Sequence, residues 1–350
     1  MSFNIGKLSV TIAGESHAKA LSVIIEGIPA GVKIDSFKLR DFMKRRVPGQ
    51  NKYSTSRNET DIPIILSGIK NGFSTGAPIS AMIENSDTRS RDYGERLDVP
   101  RPAHADYPAS VKFGEYFDFC GGGQFSGRLT AAMCFAGGIA KQLLSEKGIE
   151  VCGHIASIHG IRDESYSSEI SDVSGKEFPV ISDAAGELMK AEIDKARMSG
   201  DSVGGCIECA VTGLSPGIGD ALYGGLDGEL AKAVFAVPAV KGVEFGAGFD
   251  VCGMLGSENN DAYYTDGTDI KTVTNNHGGI LGGMSSGMPI LLRVAMKPTP
   301  SIAMKQNSVS LSKHKNVELE IIGRHDPCVV PRAVPCIESM CALVILGKIL

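Results

Sequence analysis

Tryptophan is absent from the 350 residues, and aromatic residues make up only 6% of them. Rings are therefore too sparse to interleave with basic residues, as they do where bases stack on protein. An excess of positive charge is also missing. Against 40 Asp and Glu stand 35 Lys and Arg, a net charge of −5, so bulk attraction to nucleic acid or to an anionic membrane is not indicated. No window approaches the ~18 uninterrupted apolar residues of a membrane span. The opening MSFNIGKLSVTIAG has no basic region followed by an apolar run, so no secretory signal is expected. The nine cysteines are odd in number and scattered, which argues against a disulfide framework and for a reducing compartment, with the cytosol as default. One CxxC, Cys206 and Cys209, lies in the strand-like CIECAV, where positions three apart face opposite ways. No second Cys pair or His pair accompanies it, and no metal site is expected.

Glycine is abundant, with 43 residues and no collagen-like period, which reads as many tight turns and close backbone approaches. Two segments echo each other. GFSTGAPIS at 72–80 resembles GMSSGMPIL at 283–291, an offset of 211. Gly14-Glu-Ser, followed by Gly27-Ile-Pro-Ala-Gly31, resembles Gly200-Asp-Ser, followed by Gly213-Leu-Ser-Pro-Gly217, an offset of 186. Two matches in the same order suggest a duplication inside a single domain, 1–350. The halves would run over about 1–148 and 199–350, joined by an insert over 149–198.

Each half opens with strand-like alternation, LSVIIEGI and GCIECAVTGL. Each continues with a helix candidate, SFKLRDFMKRRV capped by Ser36 and LDGELAKAVFAV with Leu226, Leu230 and Val234 at helical spacing. Each ends on a helix rich in small residues, 129–144 and 335–350, and the insert holds a helix over 183–199. These elements predict an α+β layered body.

Chemistry-bearing residues gather in segments framed by proline and glycine. RPAHAD, 101–106, places Arg101, His104 and Asp106 within six positions, and GRHDPCVVPR, 323–332, repeats the pattern with Arg324, His325, Asp326 and Arg332. Proline presets the backbone around both, and preset geometry matters where charge develops. His17 follows Gly-Glu-Ser at a strand end, either projecting into a site or hydrogen-bonded structurally. GGGQFSGR, 121–128, reads either as a sharp turn or as an anion site built from free backbone amides at a helix start. The basic run 40–57, with Arg45, Arg46 and Lys52, is a solvated helix end or a loop that closes on anions. Arginine in non-helical segments favours bidentate contact with carboxylate or phosphate, and a neighbouring histidine transfers protons near neutral pH. The residues by themselves point to an enzyme acting on a small polyanion, of the phosphorylated kind, through histidine acid catalysis.

Taken together these motifs resemble the chorismate synthase family almost end to end. The carriers are GESHAKALSVIIEGIPAG, RPAHADY, GDSVGG, AVKGVEFGAGF, GGILGGMSSGMPI, KPTPSI and GRHDPCVVPRAVP, in the family's order. The resemblance implies a β-α-β sandwich, a homotetramer and anti-1,4-elimination of phosphate from 5-enolpyruvylshikimate 3-phosphate to give chorismate. It implies reduced FMN (FMNH2) as cofactor, and NADPH only as a reductant. Whether reduction is intrinsic or needs a separate flavin reductase stays open.

By the same resemblance, His104 would protonate the departing phosphate, His17 would keep the reduced flavin suitably protonated, and Asp326 would help remove the ring proton by way of the flavin. Arg46, Arg101, Arg128 and Arg324 would hold the substrate's anionic groups. Gly282, Lys297, Pro298, Thr299, Pro300, Ser301 and Arg324 would hold the flavin, with Ser126 and Ala239 nearby. Arg46 and Lys52 would serve a nicotinamide nucleotide. Asp106 is read from the residues as either orienting the imidazole or capping a turn.

The chain departs from the family pattern at several positions. Ala18 and Ala103 stand for glycines, Cys120, Gln124 and Phe125 for Arg, Arg and Ser, Pro238 for Asn and Lys52 for Arg. A non-catalytic flavin- or anion-binding oligomer is the alternative that these departures keep open.

Overall fold

In LSVTIA and ALSVIIE every second residue is aliphatic, and a strand sends alternate side chains to opposite faces. Both stretches are strands whose aliphatic faces are buried, with Leu8, Val10, Leu21 and Val23 at 3% exposure or less. The structure is a computed structural model that describes residues 1–49, 53, 59–87, 98–167, 173, 175–321 and 326–350. In chain order the first part holds β1 (Ser2–Ile5), β2 (Leu8–Ala13), β3 (Ala20–Glu26), α1 (Ser36–Lys44), β4 (Pro63–Ser67), β5 (Ile69–Lys70), β6 (Phe73–Ser74), β7 (Ile79–Glu84), α2 (Asp106–Phe113) and α3 (Thr130–Ser145). Then come β8 (Glu150–Ile158), β9 (Ile161–Arg162), α4 (Asp183–Met198), β10 (Gly205–Thr212), α5 (Leu226–Val234), β11 (Val240–Phe245), α6 (Gly256–Asn259), β12 (Tyr263–Thr265) and β13 (Ile270–Thr272). The chain closes with β14 (Ile280–Leu281), β15 (Met284–Ser285), β16 (Ile290–Met296), β17 (Gln306–Ser310), β18 (Lys315–Leu319) and α7 (Val330–Ile349).

Two antiparallel five-stranded sheets enclose a layer of helices. Their orders are β1-β2-β3-β7-β4 and β11-β16-β10-β8-β9. Helices α3 and α7 pack on one another between the sheets, α3 against β2, β3 and β8, and α7 against β1, β2, β8 and β10. A Cβ on Gly137 of α3 would lie 2.1 Å from the Ser339 Cβ of α7, so glycine permits the close crossing of the two helices. Sixteen residues of α7 are buried, since it faces apolar neighbours all round, and each large aliphatic side chain so enclosed contributes roughly 1.5–3 kcal/mol. It is long and apolar enough to cross a membrane, yet 89% of that window is buried inside the fold. The α1 cap is Asp35 rather than Ser36, its carboxylate accepting from the Phe37 and Lys38 amides.

The offsets seen in the sequence recur as matched hydrogen bonds. Ser74 Oγ accepts from Val32 N (2.9 Å) and donates to Pro29 O (2.6 Å), while Ser285 Oγ accepts from Ile218 N (2.9 Å) and donates to Ser215 O (2.6 Å). Hairpins β5–β6 and β14–β15 carry these serines. The matched pairs support the proposal of an internal duplication. Segment 149–198 is not a simple connector, however. It supplies β8 and β9 to the second sheet, so the second layer begins at 150 rather than 199.

Candidate active site

The RPAHAD loop is a closed ionic turn. Its bend is made at Ala103, which sits at φ +55°, and Asp106 opens α2. The Asp106 carboxylate accepts from the Arg101 backbone N (3.0 Å), from Arg101 Nε and Nη2 (both 2.7 Å) and from His104 Nδ1 (2.6 Å). Burial alone would raise its pKa, but the hydrogen bonds from Arg101 and His104 outweigh burial and hold it well below the usual carboxylate range. An ionised carboxylate only accepts, so the His104 proton nearest to it sits on Nδ1 and Nε2 is left for chemistry. Arg101 Nη2 lies 3.1 Å from the same Nδ1, but the shorter Asp106 contact decides the tautomer. The orienting role read for Asp106 is thus present in the geometry, and the helix-start position is present as well.

The glycine run lies against both candidate imidazoles. Gly121, Gly122 and Gly123 have φ of 63°, 97° and 53°, conformations that side chains rarely adopt. A Cβ on Gly121 would fall 2.3 Å from His17 Cε1, and one on Gly122 would fall 3.1 Å from His104 Nε2. Two neighbouring residues, whose Cα atoms are ~3.8 Å apart, therefore carry His17 on one and His104 on the other. Some amides in and beside the expected cradle are taken up by the chain. Cys120 N donates to Asp118 Oδ1, Gly122 N to Phe119 O, Ser126 N to Gly123 O and Arg128 N to Ser126 Oγ. Behind the run, Phe125 packs on Phe117 and Phe113, with ring centroids 5.8 and 6.4 Å apart. Burial and then Asp118 push the Cys120 thiol up, so it stays neutral beside the glycine run.

Arg46 and Arg128 form a buried network rather than an open anion clamp. Both pair with Asp61. Arg46 also donates to Thr130 Oγ1 (3.0 Å) and Gly127 O (3.3 Å), and Arg128 to Asn85 Oδ1 (2.6 Å) and Glu84 O (3.0 Å). Every guanidinium nitrogen of the two residues has a partner within the chain, and their exposures are 3% and 4%. Burial would raise the Asp61 pKa, but the two guanidinium groups hold it down. Arg45 is likewise turned inward, in a bidentate pair with Glu338 of α7 at 2.8 Å.

Asp326, just ahead of α7, joins this network through Arg332 of α7. Its carboxylate accepts from Arg332 Nη1 (2.6 Å), while Arg332 Nε donates to Arg46 O (3.1 Å). Asn85 carries the connection onward from Arg128 to the His17 loop, donating to Glu15 O (3.2 Å) and Ala18 O (2.7 Å). One series of contacts therefore runs from Asp326 through the arginines and His17 to His104. Arg324 and Lys52 lie outside the described residues.

Segment Lys297–Ser301 is tied to the same place. Lys297 N donates to Ala239 O (2.9 Å), and its ammonium donates to Ala103 O (2.7 Å), fastening the His104 loop to the second sheet. Ala239 itself is at φ +75°. Ser202 Oγ donates to Thr299 O (2.7 Å), and neighbouring Val203 N donates to Pro327 O (2.9 Å) beside Asp326. Pro298 rests on Gly204, and Thr299 Oγ1 is buried without a hydrogen-bond partner among the described residues. Gly282 lies in a hairpin. It forms the β14–β15 turn, whose neighbour Gly283 contacts Asp220 and accepts from Leu226 N. Ser126 caps Arg128 rather than facing outward.

Asp61, Glu59 and Asn85 escape a reading of the sequence by clusters. The available signal is that the basic run 40–57 is followed at once by two acids, Glu59 and Asp61. Nothing local marks Asn85, whose partners are 43 to 70 residues away.

The family model described as chorismate synthase matches residues 8–350. A chorismate synthase of Pyrococcus abyssi is 46% identical over 346 residues, covering 98% of this chain and 96% of the relative. One of Korarchaeum cryptofilum is 45% identical over 341 residues, covering 96% and 94%. A crystal structure of chorismate synthase superposes with a TM-score of 0.73 at 28% identity, covering 99% of this chain and 92% of that one.

Proposed function

The chain belongs to the chorismate synthase family and is a carbon–oxygen lyase of that type, serving aromatic amino-acid biosynthesis; from this premise we propose that it eliminates phosphate from 5-enolpyruvylshikimate 3-phosphate to form chorismate, with reduced FMN as cofactor. The observation that carries the proposal is the seating of His17 and His104 over Gly121–Gly122, with Asp106 fixing the far nitrogen of His104. In the overall change one carbon–oxygen bond to phosphate breaks, a ring proton leaves and a new double bond forms. His104 Nε2 donates its proton to the departing phosphate, and Asp106 stabilises the imidazolium that performs this transfer. Asp326, oriented by Arg332, receives the ring proton. His17 would hold a proton for the flavin.

When bound, reduced FMN would supply electron density for the departure of phosphate. The residues present fit it, because Thr299 Oγ1 is a buried hydroxyl awaiting a partner and Lys297 brings an ammonium group to the same segment. Lys297, Pro298, Thr299, Pro300 and Ser301 would hold it, next to Ala239. Arg101 is our candidate for the substrate's anionic groups, together with Arg324. Arg46 and Arg128 act instead through the loops they brace, and the enclosure of Arg46 gives no support to a nicotinamide nucleotide there. We further propose a homotetramer, with which the exposure of the large apolar side chains Phe249, Leu255, Tyr263, Ile270 and Val273 accords. Nine free thiols accord with the cytosol.

The test is anaerobic turnover with dithionite-reduced FMN, following phosphate release and chorismate absorbance. Wild-type protein should turn over, and His104→Ala should lower the rate by ~10² or more while flavin still binds. Flavin binding without turnover would overturn the lyase reading, and an unimpaired His104→Ala variant would remove His104 from its role.

A further inference from the structure

We infer that Asn85 is the positioning residue of the His17 loop, a role that rests on the proposed reaction for its kinetic meaning but on hydrogen bonds alone for its structural one. Asn85 follows β7, and its backbone N donates to Lys19 O (3.1 Å), so its own main chain is anchored at the start of β3. The side chain has one acceptor and two donors, and all are engaged. Nδ2 donates to Glu15 O and to Ala18 O, the carbonyls on either side of the Ser16–His17 pair. Oδ1 accepts from Arg128 Nε at 2.6 Å. Arg128 is held in turn by Asp61 and by Glu84 O.

The loop is also tied to the glycine run, Ser16 N donating to Gly123 O at 3.1 Å. Asn85 thus fixes the backbone around the imidazole, and the Ser16 tie fixes it against Gly123, two residues from Gly121, where an added Cβ would meet His17. Aspartate at this position would keep the acceptor for Arg128 and lose both donors. It would also set a carboxylate against two carbonyl oxygens. The loop would loosen while the arginine network stayed paired. A misplacement of ~1 Å at a reacting group can lower the rate ~10²-fold, so the effect should be read in kcat.

The experiment compares Asn85→Asp with wild type, in the full chain, by amide exchange and by turnover. Exchange at Ser16 N should accelerate at least ~10-fold on loss of buried hydrogen bonds, while the β10 amides keep their wild-type protection. Turnover should fall ~10-fold or more in the wild-type background and not fall further in His17→Ala, because residues acting through one another are non-additive. Unchanged Ser16 exchange would overturn the proposal whatever the rates. Equal rate losses in both backgrounds would overturn it too, by showing that Asn85 acts independently of His17. If wild type binds flavin and never turns over, the proposed reaction fails while the exchange result still decides the placement of Asn85.

Discussion

Replacing Asp106 by asparagine tests the ionic turn most directly, because the change is nearly isosteric and removes only charge and one acceptor. Four hydrogen bonds converge on the carboxylate, two at each oxygen. Asparagine has one acceptor oxygen, so its amide must face either the Arg101 backbone and Nε or the His104 and Arg101 Nη2 donors. Asp106 is 2% exposed and Arg101 7%, so water does not replace the lost bonds. Removing one partner of a buried pair destabilises by about 3–5 kcal/mol, and loss of the charged hydrogen bond to the imidazolium removes about 1.5–3 kcal/mol of stabilisation. At ~1.4 kcal/mol per decade, the second figure is a ten- to hundredfold drop in kcat. The assay is anaerobic phosphate release beside a denaturant unfolding curve. The double variant Arg101→Met/Asp106→Asn, which removes the uncompensated charge, should recover stability without recovering kcat. A single variant with wild-type kcat would refute the claim that Asp106 acts through His104.

Gly121→Ala should lower turnover ~10²-fold with the helical and strand content intact, since its methyl group would sit 2.3 Å from His17 Cε1 and the backbone is at φ +63°. Circular dichroism and the phosphate assay together check this. Ala103→Gly should raise stability by about 0.5–1 kcal/mol by relieving a left-handed alanine, seen as a higher denaturant midpoint at unchanged slope. Glu338 is fully enclosed, and although burial raises its pKa, Lys141 and Arg45 bring it from 4.5 to about 2. The unfolded chain therefore binds more protons between these values. The stabilisation, of roughly 3 kcal/mol, is present above pH ~4.5 and disappears as pH falls towards 2. Glu338→Gln should flatten that part of the pH–stability curve, and an unchanged curve would count against the buried pair.

Local pattern was enough for the elements, because alternation and helical spacing are properties of neighbours. β2, β3, α1, α5 and the cores of α3 and α7 were legible for that reason. The helix over 183–199 was legible too, ending at Gly200 with φ +72°. The histidine motifs and Asp326 were legible because proline and glycine frame them over a few residues. Boundaries that depend on packing were not. α7 begins at Val330, five residues ahead of the expected start, and strand β8 lies inside what read as an insert.

The chain's order of residues determined which chemistry is available, namely imidazoles, carboxylates and guanidinium groups in rigid short segments, together with a repeat at two offsets. Tertiary structure alone decided which acid each of these arginines meets. Arg46 and Arg128 read as anion binders by composition, yet Asp61 claims both, and Arg45 is claimed by Glu338, 293 positions away. The physical reason is that a buried cation must be neutralised by whichever acid the fold brings to it, and folding brings together residues whose separation along the chain carries no local signal.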